Sequence, residues 1–74
     1  MPLSLVLNGE TRCFEDLEPH STVERLVSAL GLQADRVAIE RNGDIVSRRL
    51  WPQTPLAEGD RIEMVHFVGG GAGR

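Results

Sequence analysis

The sequence predicts an α+β domain, a mixed sheet of four to five strands wrapped around one main helix at about residues 22–30. Three observations predict it. Asn8-Gly9 and Asn42-Gly43 each close an apolar, β-rich stretch, and Asn-Gly is the strongest short-range hairpin signal. Between them Val23, Leu26, Val27 and Leu30 recur at i, i+3, i+4 and i+7, one face of a helix. Last, Arg61 to Val68 reads as a strand that runs straight into Gly69-Gly70-Gly71.

Size and composition bound the rest. At 74 residues the chain is one domain, near the lower limit for a self-standing core. A cleft deep enough for a catalytic constellation is hard to build at that size, so an enzyme is disfavoured. The hydrophobic fraction of 41% fits an ordinary globular domain. A net charge of -3 leaves no basic footprint, so no nucleic-acid partner is expected. All eight basic residues are Arg, which leaves no side-chain amine for isopeptide or Schiff-base chemistry. The lone Cys13 excludes an internal disulfide and a zinc cluster. No apolar run reaches the ~18 residues of a membrane span. Leu3 to Leu7 is too short for a signal peptide and lacks a basic flank, so the expected place is the cytoplasm.

Taken in order, Leu3 to Leu7 forms the first strand and Glu10 to Phe14 its hairpin partner. Leu3, Leu5 and Leu7, with Cys13 or Phe14, make the buried face. Ser21-Thr-Val-Glu24 fits a capping box, with Ser21 at the N-cap and Glu24 at N3. Gly31 stands where a left-handed C-cap residue belongs. So short a helix does not persist alone in water; burial of Val23, Leu26, Val27 and Leu30 on the sheet, roughly 1.5–3 kcal/mol each, holds it. Val37 and Ile39 share one face of the next strand, and Asp44 to Ser47 is expected to return beside it. Arg48 to Trp51 is a connector broken by Pro52 and Pro55, and Ala57-Glu58-Gly59-Asp60 is a turn.

In the last strand Ile62 and Met64 share the phase facing the helix, whereas Val65 and Phe67 share the other. Neighbouring apolar side chains on an open sheet face mark either a contact surface or cross-strand packing. Their place at the root of the glycine arm favours docking, with His66 and Val68 in the same contact set. The simplest closed arrangement puts the first and last strands side by side and parallel at the centre. That is the β-grasp, or ubiquitin-like, architecture, over residues 1–68, with 69–74 a flexible glycine-rich tail. Such a tail is either a frayed end or an arm slender enough to thread into a partner's active site. A last strand leading straight out of the core favours the arm.

Several residues carry blander readings. Cys13 reads as a small core residue. His20 and His66 lack partners at ligand spacing, so no metal site is expected. Trp51 covers one edge of the core or, as an aromatic beside Arg48-Arg49, serves as an anchor; Glu15, Asp16 and Glu18 form a solvated loop, and Arg36 and Arg41 pair with Glu40 or Asp44 at the surface.

The chain resembles the ThiS family, sulfur carriers of bacterial thiamine thiazole synthesis, over essentially its whole length. The marks are Leu7-Asn8-Gly9-Glu10, Thr22-Val23, Leu30-Gly31-Leu32, Val37-Ala38-Ile39-Glu40-Arg41-Asn42, Ile45-Val46 and Trp51. Glu58-Gly59-Asp60-Arg61-Ile62-Glu63 and Val65-His66-Phe67-Val68-Gly69-Gly70-Gly71 complete the set. Two departures stand out: Val46-Ser47-Arg48 replaces a common Val-Pro-Arg, and Ala72-Gly73-Arg74 follows the diglycine at which relatives usually stop.

The resemblance implies that Gly71, with Gly70 and Gly69 before it, is the working terminus. Its carboxylate is adenylated by an E1-like adenylyltransferase of the ThiF type, then converted to a thiocarboxylate with sulfur from a desulfurase persulfide. The carrier binds no cofactor and holds no catalytic side chain; ATP and Mg²⁺ belong to the adenylyltransferase. A thiazole synthase of the ThiG type receives the sulfur, and the free carrier is a monomer; because this chain departs from the family beyond Gly71, either a protease first removes Ala72 to Arg74 or the 74-residue form is inert. The alternatives are a carrier of the same fold for another pathway, of the molybdopterin synthase small-subunit type or the cysteine or siderophore type, and a ubiquitin-like interaction module without terminal chemistry.

Overall fold

The computed structural model describes residues 1–67. Strands β1 (Leu3–Leu7) and β2 (Glu10–Phe14) precede helix α1 (Val23–Ala29). Strands β3 (Val37–Arg41), β4 (Asp44–Ile45) and β5 (Arg61–His66) follow, with 3₁₀ turns at Ala34–Arg36 and Arg48–Gln53. The sheet order is β2-β1-β5-β3-β4. The central pair β1–β5 is parallel and the other pairs are antiparallel. This is the mixed β-grasp sheet that the element order implies.

Both hairpins turn as their dipeptides dictate. Asn8 and Gly9 sit at φ 51° and 83°, and Asn42 and Gly43 at 53° and 93°. Two successive positive φ angles define the type I′ turn, whose twist matches that of the flanking strands. The register Leu3↔Phe14 settles which residue of β2 turns inward. Phe14 is half-buried against the core. Cys13, opposite Ser4, is exposed, which corrects its reading as a core residue.

The helix begins one residue later than the capping-box pattern predicts. Thr22, not Ser21, is the N-cap, and its hydroxyl accepts from the Arg25 amide at 3.2 Å. The cause is long-range. The amides of His20 and Val23 donate to the carbonyls of Leu56 and Thr54, and the Leu56 amide donates to Ser21 O, at 2.8–2.9 Å. That pairing holds Thr22 extended, at φ −89° and ψ 165°. The Ser21 hydroxyl accepts instead from the Glu18 amide at 3.0 Å. At the other end Gly31, at φ 73°, donates to Ser28 O while Leu32 donates to Val27 O. These are the two bonds of a Schellman C-cap. Val23, Leu26 and Val27 are buried and Leu30 is half-buried against the same core.

Strand β4 stops at Ile45 rather than Ser47. The Val46 carbonyl accepts from Trp51 Nε1 at 3.0 Å, which turns the chain into the 3₁₀ segment around Pro52. Trp51 is thereby buried at the edge of the core, as its sequence position suggests. Leu17 and Leu56, each in a segment without periodicity, are also fully buried. Strand β5 is described to His66. The expected extension to Val68 and the tail 69–74 lie outside the described residues.

Candidate functional site

The strand that precedes Gly69-Gly70-Gly71 in sequence is held at its start by side-chain and backbone bonds from three loops. The Asn8 backbone N–H donates to Ile62 O at 2.8 Å, and its side-chain Oδ1 accepts from the Met64 backbone N–H at 2.7 Å. Asn42 does likewise from the other side: its backbone N–H donates to Arg61 O at 2.7 Å and its side-chain Oδ1 accepts from the Arg61 backbone N–H at 2.9 Å. Each Asn-Gly turn therefore makes a hairpin and also clamps β5. The third loop is the turn before β5. Glu58 Oε1 accepts from the Ser4 amide at 3.0 Å, and the Gly59 amide donates to Ser4 O at 2.8 Å, so the turn continues the β1 ladder.

Asp60 closes that turn. Its Oδ2 accepts from the Ala57 amide and from Arg41 Nε, each at 2.8 Å, and its Oδ1 accepts from Asn42 Nδ2 at 3.0 Å. Burial alone would raise its carboxyl pKa. The bonds from Asn42, Ala57 and Arg41 outweigh burial and hold it below the ordinary carboxylate value. Arg41 thus pairs with Asp60, nineteen residues on, and not with Glu40 or Asp44 as local spacing suggested. The Arg41↔Ile62 register carries Arg41 to the inner side, beside the turn.

Along β5 the expected alternation holds. Ile62 is fully buried and Met64 packs half-buried on the core. Val65 and Phe67 are 56% and 54% exposed on the outer face. The Phe67 amide still donates to Arg36 O at 2.7 Å, so the chain remains tied to the sheet at that point. His66 is exposed but shares the phase of Val37, its partner on β3. It therefore lies on the other side of the sheet from Val65 and Phe67. Val68 and Gly69 to Gly71 lie outside the described residues.

The outer face holds more than the sequence reading assigned to it. Ile45, 78% exposed on β4, stands opposite Glu40, and Ala38 stands opposite Val65. With Glu63 they rim a notch of about 130 Å³ between Ile45 and Val65. The missed signal was the Asn42-Gly43 register, which fixes Ile45 out of phase with inward-packing Val46. A larger groove of about 650 Å³ lies between α1 and the Arg48–Gln53 segment. It contains no His or Cys and a single carboxylate, Glu24, so it offers no acid–base pair.

This geometry presents a strand rooted in a small core, flanked on one face by exposed apolar side chains. Residues 5–71 match the sequence model of the ThiS family. The chain belongs to the ThiS family. It is 38% identical over 50 residues to the sulfur carrier protein ThiS of Bacillus subtilis, covering 68% of this chain and 76% of that one. It is 41% identical over 70 residues to a thiazole synthase of Paramagnetospirillum magneticum, across 95% of this chain and 21% of that protein. The chain thus spans about a fifth of the length of that relative. Among solved structures it superposes on the thiamine biosynthesis protein ThiS of Geobacter metallireducens with a TM-score of 0.77 at 34% identity, over 93% of this chain and 100% of that one. ThiS proteins are small sulfur carriers of thiamine biosynthesis, and the β-grasp fold is theirs. Among the described residues no helix is long and apolar enough to cross a membrane.

Proposed function

We propose that this chain carries sulfur as a thiocarboxylate on Gly71, takes no catalytic part itself, and delivers the sulfur to a thiazole synthase. The observation that carries the reading is the family similarity, which runs to residue 71 and so ends on the last glycine of Gly69-Gly70-Gly71. The strand feeding that run is clamped by Asn8, Asn42 and the Asp60 turn, and tied at Phe67, so a partner meets a fixed root. Glycine suits the arm because it has no Cβ, and its backbone passes a narrow channel where any other residue would collide.

A carboxylate is a poor electrophile and must first acquire a leaving group. One carboxylate oxygen of Gly71 attacks the α-phosphorus of ATP in the adenylyltransferase, and pyrophosphate leaves. The terminal sulfur of a persulfide then attacks the acyl carbon and expels AMP. A second thiol cleaves the resulting S–S bond, is itself oxidised to a disulfide, and leaves the thiocarboxylate. ATP, Mg²⁺ and the thiols belong to the partners. The Gly71 carboxyl has to be free for the first step, so the Gly71–Ala72 bond is cleaved beforehand. Docking falls to Val65, Phe67 and Val68 with Ile45; His66 is left for contacts on the opposite side. The thiazole synthase partner is supported by relatives 41–42% identical that bear this domain within a protein named thiazole synthase.

The test uses the adenylyltransferase, ATP and two substrates, the 74-residue chain and a form ending at Gly71. Only the Gly71-terminated form should release pyrophosphate. Equal release from both would refute the assignment of Gly71.

A further inference from the structure

On the outer face two carboxylates share the apolar notch. Glu40 and Glu63 stand directly opposite each other on the antiparallel pair β3–β5, and both line the notch between Ile45 and Val65. Directly opposed residues have Cβ atoms about 4.5–5.5 Å apart, and like charges there destabilise a sheet. Neither carboxylate has an ion-pair partner within 4.0 Å among the described residues. Among the described residues the ion pair within 4.0 Å is Arg41–Asp60, on the inner side. Arg61, two residues from Glu63 on the same face, makes no such pair. A sheet face under selection for stability alone has no use for this arrangement, since one Thr or Arg in place of either Glu relieves it.

We propose that Glu40 and Glu63 form the charge-reading half of the docking face, matched to a thiazole synthase surface that presents one apolar side chain beside an arginine or lysine. The notch of about 130 Å³ has the volume of roughly four waters, room for one aliphatic side chain between Ile45 and Val65. A cation next to that side chain lies over both carboxylates and relieves their repulsion in the complex. Complementary charge of this kind sets partner choice and association rate. The inference rests on the docking reading above. The partner follows from relatives in which this domain and thiazole synthase share one polypeptide, so the two surfaces are held at high effective concentration.

The test is titration calorimetry of purified cognate thiazole synthase with the full chain and with the E40Q/E63Q, E63R and V65D variants, each at low and high salt. E40Q/E63Q should bind on the order of tenfold more weakly at low salt and lose most of its salt dependence, with E63R weaker again. The Gln variant should melt no lower than the wild type, which separates lost binding from lost folding. If V65D abolishes binding while E40Q/E63Q keeps wild-type affinity and salt dependence, the charge-reading role is overturned and the docking face stands. If V65D also binds normally, or the wild type does not bind at all, the docking reading fails and takes this proposal with it.

Discussion

Asp60 holds the root of β5, and its removal has a calculable consequence. In D60A three hydrogen bonds vanish, from the Ala57 amide, Asn42 Nδ2 and Arg41 Nε. A hydrogen bond to a charged acceptor is worth about 1.5–3 kcal/mol when shielded from water. Arg41 is 32% exposed, so water replaces most of what it loses, and its share is small. The bonds from the Ala57 amide and Asn42 Nδ2 end on a carboxylate that is 10% exposed, but both donor residues are themselves exposed, so each is worth less than that range. At about 1–1.5 kcal/mol each they give a loss of about 2–3 kcal/mol. For a domain of this size each kcal/mol moves the Tm by about 4–8 °C, so the melting point should fall by about 10–20 °C at pH 7.

The pH dependence carries a second signature. The folded carboxyl is held below its unfolded value of about 3.9. Its ionic contribution is therefore complete above about pH 4 and declines as pH falls from there toward the folded pKa, because the unfolded state takes the proton first. The gap between wild type and D60A should be constant from pH 7 to pH 5 and should narrow below about pH 4. Circular dichroism melts at a series of pH values measure both. A D60A melting point within about 3 °C of wild type at pH 7, or a gap unchanged down to pH 3, would refute the reasoning.

Three further perturbations follow the same logic. Asn8→Ala removes the acceptor for the Met64 amide and forces alanine to φ 51°, so urea titration should show a loss of about 2 kcal/mol, with Asn8→Gly costing about 1 kcal/mol less; equal losses would rule out the backbone contribution. Gly31→Ala meets open space but must keep φ 73°, so it should cost about 1 kcal/mol and shift the Tm by about 4–8 °C with no change in the native spectrum. Trp51→Phe leaves Val46 O without its indole donor and should cost about 1–2 kcal/mol by chemical denaturation; an unchanged midpoint would mean that this bond does not anchor the 3₁₀ segment.

What the sequence revealed and what it hid divide by range. The two hairpins, the helix stripe and Gly31 were legible because their signals are complete within a few residues. An Asn-Gly pair can turn, and a glycine can take φ 73°, whatever the rest of the chain does. The N-cap was misplaced by one because its position depends on Thr54 and Leu56, more than thirty residues away. Arg41 found Asp60 rather than Glu40 or Asp44 for the same reason: a strand register chose its neighbour. Leu17 and Leu56 carry no periodicity, so their burial follows only from the closed fold. On the outer face Val65 and Phe67 were legible from strand phase, whereas Ile45 required knowing where β4 ends.

These differences bear on how the candidate site works. The polar side chains that secure β5 converge on its first residues: Asn42 on Arg61, Asn8 on Met64, and Asp60 on the turn just before. Beyond Met64 the strand is held by backbone pairing with β3, and at Phe67 by a single bond to Arg36 O. A strand clamped at its start and progressively less covered toward its end transmits position well, because the direction of its last residues is fixed by the rigid root. The same strand leaves Val65 and Phe67 unburied at the point where a docked partner would add what the sheet does not supply. Burying this face in the core would raise the melting point and would remove the face proposed for docking. The opposed Glu40 and Glu63 fit the same picture, since this like-charge pairing lies on the face proposed for docking.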